Sequence, residues 1–130
     1  MTNHPNLDAA RAGYAAFDAG DMAGVGELLA DDIVWHAAGD NVLSGDYAGK
    51  EAVFAMFGEL MQETGGNFKN HIHDILANDE HGVALVSFAA TRGGKTLEGR
   101  TVHVFHMSDG KMTEFWSYPD DPGAFDEFWS

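Results

Sequence analysis

Apolar residues recur at helical spacing three times in the first half of the chain, then at alternate positions through most of the second. Leu7, Ala10, Tyr14 and Phe17 repeat every three or four residues, which predicts a helix capped at Asn6 and stopped at Gly20. Asp21 caps a second predicted helix carrying Met22, Val25, Leu28 and Leu29. Ile33-Val34-Trp35-His36 is short, β-branched and aromatic, and reads as a strand. The stretch from Ala37 to Ala48, rich in Gly and Asp, reads as a loop. A third helix is expected over 49–64, with Val53, Phe54, Phe57, Leu60 and Met61 on one face and Gly65-Gly66 ending it.

Beyond Gly66 the period shortens to two. Four strands are expected at Asn67–Ala77, Val83–Arg92, Lys95–Met107 and Met112–Tyr118, joined by turns at 78–82, Gly93-Gly94 and 108–111. Asp121-Pro122 places a cap before a proline at the first helical position, so a short tail helix should carry Phe125, Phe128 and Trp129 on one side. Helices followed by an antiparallel meander make an α+β arrangement, taken as one domain over residues 1–130. Val104 beside Phe105, and Phe115 beside Trp116, put apolar residues on both faces of the sheet. A sheet with one wet face alternates more cleanly, so a homodimer through the outer, convex face is expected. His106 belongs to that outer side.

Composition narrows the function classes. With 130 residues, 45% of them hydrophobic, the chain can bury a core without staples. Twenty-one acidic against 7 basic residues give a net charge of −14. Such a surface repels phosphate backbones and anionic lipid, which argues against nucleic acid or a membrane as partner. The absence of cysteine excludes disulfides, thiolate ligands and cysteine nucleophiles. Met1 to Asn6 holds neither a basic nor an apolar leader region, and no apolar run reaches the roughly 18–20 residues of a spanning helix. A cytoplasmic protein is expected. No Gly-x-Ser-x-Gly elbow or phosphate loop occurs, and no cofactor is implied. His71 and His73 could reach one ion from a single strand face, but spacing fixes no third ligand, so no metal site is assigned. Arg92, beside Gly93, reads as a solvated turn residue.

Five segments carry a resemblance. They are 14–21 (Tyr-Ala-Ala-Phe-Asp-Ala-Gly-Asp), 29–36 (Leu-Ala-Asp-Asp-Ile-Val-Trp-His), 47–53 (Tyr-Ala-Gly-Lys-Glu-Ala-Val), Val102-His103-Val104-Phe105 and Asp109-Gly110-Lys111-Met112. In this order and spacing the chain resembles the nuclear transport factor 2-like superfamily, in its SnoaL-like, ketosteroid isomerase-related branch. The resemblance implies a cone-shaped, curved antiparallel sheet wrapped around a long helix, with an apolar cavity between them. Isomerases, polyketide cyclases, epoxide hydrolases and proteins of no known activity share this fold, so the fold alone does not choose the chemistry.

Carried over residue by residue, the family supplies a candidate site. Tyr14, Phe17, Trp35, Phe54 and Phe57 are expected as cavity walls, joined by Val86, Phe88, Phe105 and Phe115 from the sheet. Aligned on Gly39 and Gly45, the isomerase base falls on His36; aligned on Asp31-Asp32, it falls on Ala37. A histidine can take a proton near neutrality, so His36 is the candidate base. The isomerases' oxyanion-side aspartic acid falls on His103, and their helix tyrosine on Gly13, next to Tyr14. The cyclase aspartate that follows the tryptophan falls on Ser117. The expected ligand is a small apolar molecule bearing a carbonyl. The expected activity is a cofactor-free isomerase, cyclase or lyase with His36 as base and His103 and Tyr14 as donors. The other expectation is a non-catalytic binding or sensing domain of the same fold.

Overall fold

A computed structural model describes residues 4–130; Met1–Asn3, part of the Met1–Asn6 stretch read above from its composition, lie outside the described residues. The chain runs α1 (Pro5–Asp18), α2 (Met22–Leu28), β1 (Leu29–Ala37), β2 (Gly45–Ala48) and α3 (Lys50–Thr64). It continues through β3 (Lys69–Ala77), β4 (His81–Arg92), β5 (Lys95–Ser108), β6 (Lys111–Pro119) and α4 (Pro122–Phe128). The six strands form one curved sheet in the order β2-β1-β6-β5-β4-β3. The α+β class therefore stands, with one correction. β1 pairs parallel to β6, setting Trp35 beside Phe115, whereas every other pairing is antiparallel. A parallel neighbour needs a long crossover, and the whole of β2 to β5 supplies it.

Two boundaries differ from the sequence reading. β2 lies inside the expected loop, because pairing with β1 orders a mostly polar four-residue edge that has no alternation to read. At α1 the cap is His4, whose Nδ1 accepts the Asn6 amide at 3.1 Å. Asn6 is buried inside the first turn, and its carboxamide donates to the carbonyls of Asn78 and Asp79 at 2.9 and 3.1 Å. The residue expected as a cap thus ties α1 to the β3–β4 turn. Asp21 and Asp121 cap as expected, accepting from the amides of Gly24 and Ala124. Gly65 ends α3 at φ 63°, a left-handed conformation that glycine adopts without strain.

The apolar faces meet in two clusters. In the first, Val53, Met56 and Phe57 of α3 pack with Leu28, Phe105 and Phe115. In the second, Phe128 of α4 and Trp129, which caps it, pack with Leu43, Phe88, Ala90 and Leu97. α4 is fastened at both flanks. The Asp126 carboxylate accepts from the Asp40 amide and the Asn41 carboxamide at 2.9 and 2.8 Å. On the other flank, Arg92 donates to Glu63 at 2.7 Å and to the main-chain oxygens of Phe128 and Ser130 at 3.1 and 2.8 Å. Its side chain is only 21% exposed. Arg92 is a clamp between α3, β4 and α4, not a solvated turn residue.

A bulge in β3 sets two residues, His73 and Asp74, against Leu85 alone, so residues facing the core change from 70 and 72 to 75 and 77. His71 and His73 both stay on the exposed face, since the alternation breaks only at Asp74. No helix among the described residues is long and apolar enough to cross a membrane.

Candidate functional site

A cavity of about 140 Å³ lies between α1, α3, α4 and the inner sheet face. Phe17, Trp35, Phe57, Phe88 and Phe115 line it. Trp35 stacks on Phe115 with ring centroids 3.5 Å apart and meets Phe57 edge-on, so the aromatic wall is continuous from sheet to α3. Ser117 also lines the cavity, directly across the β5–β6 pairing from His103.

Three expected wall residues do not, and the first, Val86, is buried in the core cluster instead. Phe105 is 0% exposed and lies over Gly82 on the neighbouring strand, where a Cβ would fall inside its ring. Phe54 borders a separate groove with Met22 and Met61. Sequence reasoning missed Leu60, Phe68, Phe125 and Trp129 as walls, and Asn70 and Thr101 as polar lining. A usable signal existed for the last two: each stands two residues before an inward-facing position, Ile72 or His103, and so shares its face.

The polar centre is a tyrosine–histidine pair. The Tyr14 hydroxyl lies 2.6 Å from His103 Nδ1, with the two rings stacked 5.7 Å apart. Gly13 makes this reach possible, because a side chain there would collide with Leu28 and push α1 off α2. The position aligned with the isomerase tyrosine is thus a packing glycine, and its neighbour carries the hydroxyl. Burial lowers the His103 pKa to about 3 and raises that of Tyr14, so both are neutral near pH 7. A phenol is the stronger acid and an imidazole nitrogen the stronger acceptor, so Tyr14 donates to Nδ1 and the proton of the ring resides on Nε2. The Tyr14 bond is the one hydrogen bond of the His103 side chain among the described residues, leaving Nε2–H for something else.

His36 is elsewhere. Trp35 faces α3, and strand alternation turns its neighbour to the outer face of the sheet. There His36 Nδ1 lies 2.6 Å from Asp46, Nε2 lies 2.7 Å from Glu114, and the ring stacks on Trp116. Those bonds to Glu114 first, then Asp46, raise its pKa. Both nitrogens are occupied and neither reaches the cavity, so His36 is corrected from candidate base to outer-face residue. Ala37 is the next inward position and does line the cavity, which matches the alignment register through Asp31-Asp32. Among the described residues no carboxylate lines the cavity. His106 lies on the outer side, 3.6 Å from Glu114.

Residues 10–115 match the sequence pattern of the SnoaL-like domain. The chain belongs to the SnoaL-like family. Over their full lengths this SnoaL-like chain is 30% identical to the uncharacterized protein Rv0034 of Mycobacterium tuberculosis. It is also similar to Bal32a, from a soil-derived mobile gene cassette, at 37% identity and a TM-score of 0.93 over 97% of each chain. TerC, co-crystallised with polyporic acid, has the same fold at 23% identity and a TM-score of 0.85, covering 96% of this chain and 98% of its own.

Proposed function

We propose that this SnoaL-like protein binds a small, largely apolar, carbonyl-bearing molecule, whose oxygen accepts a hydrogen bond from His103 Nε2–H. The reading is carried by the buried Tyr14–His103 pair inside an aromatic cavity. A space of this size suits a body on the order of one or two rings. Tyr14, by donating to Nδ1, fixes the tautomer that places a proton on Nε2 and makes that N–H more acidic. A neutral imidazole in a dry site can stabilise an enolate oxygen as the negative charge develops, without any cofactor. When Nε2–H is given up to the enolate oxygen, Nδ1 takes the shared proton from Tyr14, which leaves Nε2 an acceptor and Tyr14 a phenolate, and the reverse relay restores both. Cofactor-free isomerisation, cyclisation or a related lyase step is the reaction class, with His103 the catalytic residue and Tyr14 its positioning residue. A second copy of the chain is the proposed partner, covering the outer face of the sheet.

A non-catalytic binding domain is the second reading, favoured by the lack of a carboxylate base in the cavity lining. The exchange of the α-protons of 2-tetralone for deuterium separates the two. A catalyst accelerates exchange, and His103→Gln lowers that acceleration by about 10²-fold, the usual effect of losing one oxyanion donor. Tyr14→Phe keeps part of the rate but alters its pH profile, since it acts through His103. Saturable binding without accelerated exchange would establish the binder. Absence of binding would remove both.

A further inference from the structure

The cavity has a second polar end that the Tyr14–His103 pair leaves unexplained. Trp129 and Thr101 both line it and are 0% and 8% exposed. The indole Nε1 of Trp129 and the Oγ1 of Thr101 are enclosed atoms with no hydrogen-bond partner among the described residues. Folded proteins seldom leave an enclosed donor unpaired, because it has lost water and gained nothing. Asn70, on β3, lines the same cavity.

The two polar ends are separate. Tyr14 packs against the cluster built on α3, whereas Trp129 belongs to the cluster built on α4, with Phe68 and Phe125 around it. Thr101 stands two residues before His103 on the same face of β5, about 7 Å along the strand, and lines the same cavity as Trp129. Indole N–H can only donate, so whatever satisfies Trp129 must bring an acceptor. A threonine hydroxyl can give or receive.

We propose that Trp129 and Thr101, with Asn70 on the wall of the same cavity, form a specificity subsite for a second oxygen of the ligand, a carbonyl or ring-bound oxygen remote from the one His103 holds. This rests on the reading of the cavity given above. The preferred ligand is therefore an apolar ring body with hydrogen-bond-accepting oxygens at two separated positions. α4 then closes the cavity and also selects what enters it.

The test uses the full chain and three probes of similar body: naphthalene, 1-tetralone with one carbonyl, and 1,4-naphthoquinone with two across the ring. The quinone should bind about tenfold more tightly than 1-tetralone, a difference of about 1.4 kcal/mol. Thr101→Val and Trp129→Phe should each remove most of that advantage, read as the ratio of quinone to 1-tetralone affinity within the same variant. The Trp129 indole N–H resonance, assigned by its loss in Trp129→Phe, should move downfield with the quinone only. Should Trp129→Phe fail to fold, the near-isosteric Thr101→Val and the resonance shift decide. An advantage that persists in Thr101→Val with no resonance shift overturns the subsite, as does equal weakening of naphthalene. His103→Gln should weaken both ketones. If it weakens neither while Thr101→Val still abolishes the quinone advantage, the subsite stands and the role given to His103 falls. If none of the probes binds, both fall.

Discussion

His36 and His103 respond to acid in opposite senses, because one is held between carboxylates and the other is sealed among aromatic rings. The raised pKa of His36 means the folded chain grips that proton more tightly than the unfolded chain, whose histidines titrate near 6.5. Its stabilisation is complete below about pH 6.5 and is lost as pH rises through the raised folded value. His36→Gln should therefore lower the melting temperature more at pH 5.5 than at pH 9, by a differential of about 0.5–1 kcal/mol for a partly exposed pair. His103 has a folded pKa of about 3, so between about 6.5 and 3 the unfolded chain takes up a proton that the folded chain refuses. Stability falls with pH across that window, and His103→Gln should flatten this acid limb. Thermal unfolding followed across pH 4–9 reads both. A wild-type slope unaltered by either variant would remove the two assignments together.

At the scale of elements, α4 depends on side chains that come from far along the chain. Arg92 reaches Glu63 and two main-chain oxygens at the helix end, and charged hydrogen bonds of this kind contribute about 1–2 kcal/mol each before allowing for exposure. Arg92→Met should destabilise the fold by about 1–2 kcal/mol and raise amide exchange across 122–129 more than across β5, which hydrogen-exchange mass spectrometry would register. Uniform protection would mean that apolar packing of Phe128 and Trp129 suffices. This element also shows what the sequence made legible. The capped Asp121-Pro122 start and the apolar triplet announced the helix, as periodicity announced α1, α2, α3 and the four later strands. Local pattern could not announce a partner at a distance: Arg92 beside a Gly-Gly turn looks solvated, and β2 has no alternation to detect. The site followed the same rule. His103 and Tyr14 were found by position within family segments, but His36 was misplaced because alignment alone left its register open by one residue. On a strand one residue is a change of face. Asn70 and Thr101 were overlooked although alternation from Ile72 and His103 put them on the inner face, and Trp129 because the polar atom of a large apolar side chain is noticed only once the walls around it are known.

The whole molecule presents an outer sheet face that a single copy leaves uncovered. Cross-strand pairing sets Val83 beside Val104 and Val104 beside Trp116, while Leu85 neighbours Val102 and Val102 neighbours Tyr118. Tyr118 is 58% exposed, so these six side chains make one apolar surface rather than scattered residues. His36, His106 and Glu114 border it, with the one carboxylate contacting both imidazoles. A net charge of −14 opposes association of two copies everywhere except at such a patch, so self-association there must be driven by apolar burial. Sedimentation velocity should give a dimer that tightens with added salt, because salt screens the like charges and leaves the apolar contact intact. Trp116→Glu, at the centre of the face and on the side away from the cavity, should give a folded monomer with at least tenfold weaker association. Its 1-tetralone affinity should be unchanged, since the cavity is built from the inner face alone. A wild-type chain that sediments as a monomer at every concentration would assign this face to a different partner, while a dimer indifferent to Trp116→Glu would place the contact on another surface.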